Sequence, residues 1–168
     1  MKKTILRNYL EIKSLSNLID CNVTNLKCSI ELVKPDDFQI NKFFYKNVGK
    51  KHRWTDRLVW SDKDWIEYSS NLKVNTYILK VGDDLAGFFE LILHVDLKEI
   101  EIAYLGILEE YHNKKLGSYL LSEAIKKSFQ NKNVKRVWVH TCSFDHKNAL
   151  KNYLARGMKI FKKENIEI

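Results

Sequence analysis

Apolar residues recur along this chain in two periods, and the switches between them divide it into about ten elements. Thr4 to Ile12 is rich in β-branched and aromatic residues with mixed periodicity, which predicts an added edge strand. Ser14 to Asn25 is polar and predicts a loop with a short helix. Leu26 to Val33 alternates as a strand, with Cys28, Ile30 and Leu32 on one face. Pro35-Asp36-Asp37 belongs in the first turn of a helix whose apolar side is Ile40, Phe43, Phe44 and Val48, ended by Gly49. Lys50 to Trp60 is aromatic and charged without a period. Ser61-Asp62-Lys63-Asp64 reads as a capping box opening a helix through about Asn71, with Trp65 and Leu72 inward.

The second half is more regular. Val74 to Val81 and Leu85 to Val95 are strands joined by the hairpin turn Gly82-Asp83-Asp84. Ile100 to Leu108 is an apolar strand interrupted by Glu101. After a polar, basic turn, Leu116, Leu120, Leu121, Ala124, Ile125 and Phe129 take the spacing of a half-buried helix. Val134 to Cys142 is a strand with Trp138, His140 and Cys142 on one face. A short helix capped by Asp145 carries Ala149, Leu150, Tyr153 and Leu154 and closes at Arg156-Gly157. Met158 to about Lys163 is the last strand. The order is β-α-α-β-β-β-α-β-α-β with an extra N-terminal strand: an α/β class with a mixed sheet.

The turn after the Ile100 strand is where chemistry concentrates. Strand, turn and helix N-terminus converge there, so unpaired amides and the positive dipole end point at one spot. Lys114 and Lys115 add full charges. The arrangement suits a phosphate.

These residues carry a family resemblance. Glu99 to Asn131 resembles motif A of the GNAT N-acetyltransferases, whose signature is Q/R-x-x-G-x-G/A. Here it reads His112-Asn113-Lys114-Lys115-Leu116-Gly117, with Gly117 matching the second glycine, Lys115 at the first, and His112 at the Gln or Arg. The flanks, IAYLGIL before and LGSYLL after, extend the match. The resemblance implies a GNAT acyl-CoA N-acyltransferase fold over a single domain, residues 1–168, with an N-terminal extension at 1–25 and a core at 26–163. It implies acetyl-CoA as co-substrate, its pyrophosphate on the amides of His112, Asn113, Lys114, Lys115, Leu116, Gly117 and Ser118. Its pantetheine arm would lie along Leu105, Gly106 and Ile107, where the strand splays and Gly106 permits close approach. The family has a further C-terminal strand for which only Asn165 to Ile168 remain, so the last hairpin is short or completed by another subunit. A homodimer is one way to complete it.

The same resemblance assigns roles. Glu101 matches a glutamate that acts as base through a water, among Ile100, Ile102, Ala103 and Tyr104. Against this, Glu101 faces solvent at a strand edge or pairs with a lysine; Glu99 is the backup base. Ala149-x-x-x-Tyr153-x-x-x-Gly157 resembles the family's A-x-x-x-Y-x-x-x-G ending, which makes Tyr153 the acid beside the sulfur rather than only a core aromatic. Trp54, Asp56 and Arg57 border the acceptor: Trp54 packs on it, Asp56 draws an amine and Arg57 a carboxylate. Alternatively Trp54, Leu58 and Trp60 anchor a loop and Asp56 and Arg57 are solvated. His140, Asp145 and His146 line the acceptor side; His140 with Cys142 as a nucleophile pair lacks a third, orienting group.

Composition narrows the rest. Net charge is +8, with scattered lysines and no basic stripe interleaved with aromatics, so no nucleic-acid partner is expected. No run of about 18 apolar residues exists, so no membrane partner is expected and the location is cytoplasmic. Three cysteines, Cys21, Cys28 and Cys142, suit neither a full set of disulfides nor a zinc site, so no metal is expected. The acceptor is a small-molecule or peptide amine. An acyl-CoA-binding protein with little catalysis is the alternative.

Overall fold

A computed structural model describes residues 2–23 and 25–168; Met1, in the basic start, and Thr24, in the polar loop, lie outside the described residues. Seven strands form one mixed sheet: β1 (Thr4–Ile12), β2 (Cys28–Leu32), β3 (Val74–Val81), β4 (Asp84–His94), β5 (Glu99–Ile107), β6 (Arg136–Cys142) and β7 (Lys159–Glu167). Among the described residues four α-helices accompany them: α1 (Phe38–Gly49), α2 (Asp62–Ser69), α3 (Leu116–Phe129) and α4 (Ala149–Ala155). The sheet order is β2-β3-β4-β5-β6-β1-β7. Neighbours run antiparallel except β5 and β6.

β1 is therefore no edge strand. It lies between β6 and β7, with Ile5, Leu10 and Ile12 buried. Leu10 and Ile12 face the α3 core together with the buried Asn8, whereas Ile5 is buried on the other face with Arg7, Tyr9 and Glu11, and Leu6 is exposed, which accounts for its mixed periodicity. β7 is also longer than the sequence suggested. It runs to Glu167 because β1 gives Lys162 to Glu167 a partner. The last hairpin is completed within the chain.

One sheet face carries α3 and α4. Phe89, Leu91, Ile100, Ile102, Val137 and Val139 meet Leu116, Leu120, Leu121 and Ile125 there. The opposite face carries α1 and α2 over β2 to β5, where Phe44 and Val48 pack on Ile78 and Phe88. Trp65 is fully buried as the pattern required, but Leu72 is 95% exposed because α2 stops at Ser69. Phe43 and Leu32 are likewise exposed. The capping box stands: Asp64 N donates to Ser61 Oγ, and Ser61 N donates to Asp64 Oδ2 at 2.8 Å. Asp145 caps no helix; Asn148 precedes α4, and Asp145 accepts from Thr141 Oγ1 and Cys142 N. Pro35 and Asp36 form a turn before α1 rather than its first turn.

Two glycines matter for how the helices seat. A Cβ on Gly49 would lie 2.6 Å from the Trp54 Cβ, and one on Gly106 would lie 2.3 Å from Val48 Cγ1. Gly106 thus lets α1 close on β5, with the room its missing side chain leaves taken by the protein itself.

Candidate active site

β5 and β6 pair only over Glu99–Glu101 and Arg136–Trp138. Beyond that point β6 stays with β1 as far as Cys142, while β5 stays with β4 as far as Ile107. The sheet splits, and from Ile102 onward the backbone of β5 has no strand on its β6 side. A cleft of about 1220 Å³ occupies the split, lined by β5, β6, the turn before α3, the start of α4 and the loop after α1. The splay expected at Leu105, Gly106 and Ile107 is thus present, and all three line the cleft.

A bulge in β5 sets which side chains face it. Glu90 pairs with Tyr104 but Leu91 with Ile102, so Ala103 is the extra residue. Before the bulge, Ile100 and Ile102 point to the α3 core; after it, Leu105 and Ile107 do. Glu101, Tyr104 and Gly106 consequently share the α1 face.

Glu101, 20% exposed, meets neither solvent alone nor a lysine. Its Oε2 lies 2.9 Å from His94 Nε2, and His94 stacks on Trp138. Glu99 is held by Arg136, which also binds Glu11. Tyr153 projects from α4 into the cleft and is otherwise buried. Burial first, then the charge of Asp145, push its pKa well above that of an ordinary phenol, so it stays a hydrogen-bond donor.

The turn before α3 explains the altered signature. Lys115, at the first glycine's place, takes φ 60° and ψ 12°, a left-handed backbone, and Asn113 is left-handed as well. The family's glycine answers a conformation that lysine adopts here at a cost. Lys115 precedes the helix with no side-chain cap, so the amides of Leu116, Gly117 and Ser118 lack helical acceptors. Above Gly117 the space is open: an added Cβ would have only Asn152 Nδ2 nearby, at 4.0 Å. His112 Nε2 contacts Ile107 O at 3.0 Å, which pins the turn to the end of β5. An anionic pyrophosphate fits this cradle. His112, Asn113, Lys115, Leu116, Gly117 and Ser118 line the cleft; Lys114 instead points over the Tyr111 ring.

Asn152 was not legible as a site residue. It donates from Nδ2 to Gly117 O and accepts from Ser118 Oγ, binding α4 to the start of α3 and so fixing Tyr153 relative to the cradle. Its only signal was its place next to Tyr153. A histidine cluster was also missed: His112 and His146 rings are 5.3 Å apart, and His52 and His146 are 6.3 Å apart. Burial, then the charges of His112 and His52, hold His146 below the usual histidine range.

On the acceptor side, the Trp54 ring meets Tyr104 edge-on at 4.6 Å. Asp56 Oδ1 accepts from Tyr45 at 2.6 Å and from Tyr104 at 3.0 Å, so it is neither free nor merely solvated. Arg57 departs furthest from expectation. Its side chain is 6% exposed and its Nη1 donates to Glu90, itself fully buried, at 2.9 Å. Glu90 also accepts from Asn41 and Tyr68. The guanidinium is thus paired inside the α1–α2 layer, while Arg57 still lines the cleft next to Trp54 and Asp56. His140 lines the cleft beside Tyr9; desolvation first, then Arg7, keep it below the usual histidine range. Among the described residues no helix is long and apolar enough to cross a membrane, and no group of three or more His, Cys, Asp or Glu could hold a metal ion.

Comparison with known proteins agrees with this fold. Residues 38–158 match the model of the acetyltransferase (GNAT) family. No curated protein sequence matches the chain. Among solved structures, a conserved protein of unknown function from Staphylococcus epidermidis superposes with a TM-score of 0.66 at 17% identity, over 98% of this chain and 61% of that one. A GCN5-related N-acetyltransferase from Kribbella flavida gives 0.70 at 12% identity, over 97% and 58%. An aminoglycoside acetyltransferase from a soil metagenome gives 0.64 at 12%, over 80% and 90%. At these identities the likeness is one of fold. The chain spans about three fifths of the first two structures.

Proposed function

Since the chain belongs to the GNAT family of acetyltransferases, we propose that it moves the acetyl group of acetyl-CoA to a primary amine by direct attack. The observation that carries this reading is that the β5–β6 split, the exposed amides opening α3, Glu101 and Tyr153 all line one cleft. An ammonium has no lone pair, so the acceptor must first lose a proton. Glu101 takes it through a water, held in place by His94. The freed amine attacks the thioester carbonyl, a C–N bond forms, and the oxyanion is met by a β5 amide near Leu105 to Ile107. Collapse breaks the C–S bond. The departing thiolate, whose thiol pKa is about 8.5, takes a hydrogen bond and then a proton from Tyr153. The phosphates rest on the turn at His112 to Ser118, where Lys115 adds charge.

Calorimetric titration with acetyl-CoA, CoA and ATP, followed by amine-dependent thiol release, tests the reading. Micromolar binding that prefers the CoA compounds, together with turnover that falls about 100-fold in Glu101→Gln, is the expected result. Binding without amine-dependent release, equal in wild type and Glu101→Gln, would make this an acyl-CoA-binding protein instead.

A further inference from the structure

Arg7 and Arg53 both line the cleft, from β1 and from the loop after α1. Among the described residues neither side chain has a hydrogen bond or a carboxylate within ion-pair distance, whereas Arg57 and Arg136 are both paired. The Arg7 Nε is buried and without a partner. Phe144 and Ile5 line the cleft too: the Arg53 guanidinium stands 4.4 Å over the Phe144 ring and Lys3 Nζ 5.7 Å from it, just past Cys142, where β6 stops pairing with β1 opposite Arg7. The acids of the cleft are already occupied. Glu101 has His94, Asp56 has two phenols, and Asp145 has Thr141 Oγ1 and the Cys142 amide. Glu164, opposite Arg7 in the β1–β7 register, binds Tyr9 and Lys162.

Two guanidinium forks without ion-pair partners, beside an apolar wall, select against a polycation and for a planar anion. We propose that the acceptor is a small amine that also carries a carboxylate, held by Arg7 and Arg53, with its apolar body on Phe144 and Ile5. Resting on the acetyl-transfer reading above, this narrows the acceptor of that same site. Such an acceptor differs from an aminoglycoside, the substrate class in the name of one acetyltransferase that shares the fold.

The test compares L-leucine and L-phenylalanine with their amides and with an aminoglycoside. Binding to CoA-saturated protein is measured by calorimetry, and turnover by thiol release. The carboxylate forms should bind at least tenfold tighter than the amides. Arg7→Gln and Arg53→Gln should each weaken them about tenfold and raise acceptor KM at nearly unchanged kcat, with CoA affinity as in wild type. Equal binding of acids and amides, a preference for the aminoglycoside, or loss of CoA affinity in the arginine variants would overturn the proposal. Arginine-dependent binding of the acids without any turnover would keep the carboxylate site and count against acetyl transfer.

Discussion

Lys115 shows how a single residue departs from its family's motif and keeps the motif's backbone. A non-glycine residue held left-handed costs about 1–2 kcal/mol, so Lys115→Gly should stabilise the protein by about 1 kcal/mol after glycine's extra unfolded-state entropy is subtracted. Urea unfolding checks this; no gain would mean the turn relaxes around lysine. Tyr153→Phe should lower kcat at least tenfold with little change in CoA affinity, since the ring stays to fill its site and only the donor is lost. Tyr45 offers a titration. Burial, then its bond to Asp56, push its phenol up to about 12. A folded pKa above the unfolded value near 10 means its contribution is complete below pH 10 and is lost as pH rises toward 12. Stability followed by urea unfolding should fall across that window, and less steeply in Tyr45→Phe. That Glu101 and Tyr153 share one cleft was legible because a strand motif and a helix motif carry them. His94 and Asn152 were not, because each matters through a partner brought near only by pairing across a hairpin or between helices.

At the scale of elements, the periodic segments were legible nearly to their ends, since a half-buried helix or strand must repeat its apolar positions. The aperiodic stretch Lys50 to Trp60 hid its role. Its Arg57 enters the layer between helices and sheet to meet Glu90, a pairing no local spacing encodes. A buried pair broken on one side leaves the other charge uncompensated, so Arg57→Met should cost about 3–5 kcal/mol. The double variant Arg57→Met, Glu90→Leu should cost less than the sum of the two single changes, as a double-mutant cycle in urea would report. Additive losses would mean the two charges do not depend on each other. The β5 bulge was equally silent in the sequence: one extra residue, Ala103, transfers the inward positions from even to odd numbers.

The molecule as a whole is a sheet split in the middle, with its own N-terminal strand inserted between the last two strands of the chain. The sequence offered Thr4 to Ile12 as a strand but not its place, because strand order is a property of distant segments. Between β6 and β7, β1 leaves no room for an intact sheet without it. Removing residues 2–12 should therefore abolish cooperative unfolding by circular dichroism, while trimming an edge strand would only lower its midpoint. That position also governs the order of events as the chain is made. β1 emerges before every other element described, yet its two partners begin at Arg136 and Lys159. Until both exist, nine residues that include Ile5, Leu6, Leu10 and Ile12 wait with both hydrogen-bonding edges unpaired, an invitation to pair with a neighbouring nascent chain. Completion of the sheet is the last step by geometry, and since long-range strand pairing is slow, it is the step at which this protein is most dependent on being kept apart from copies of itself.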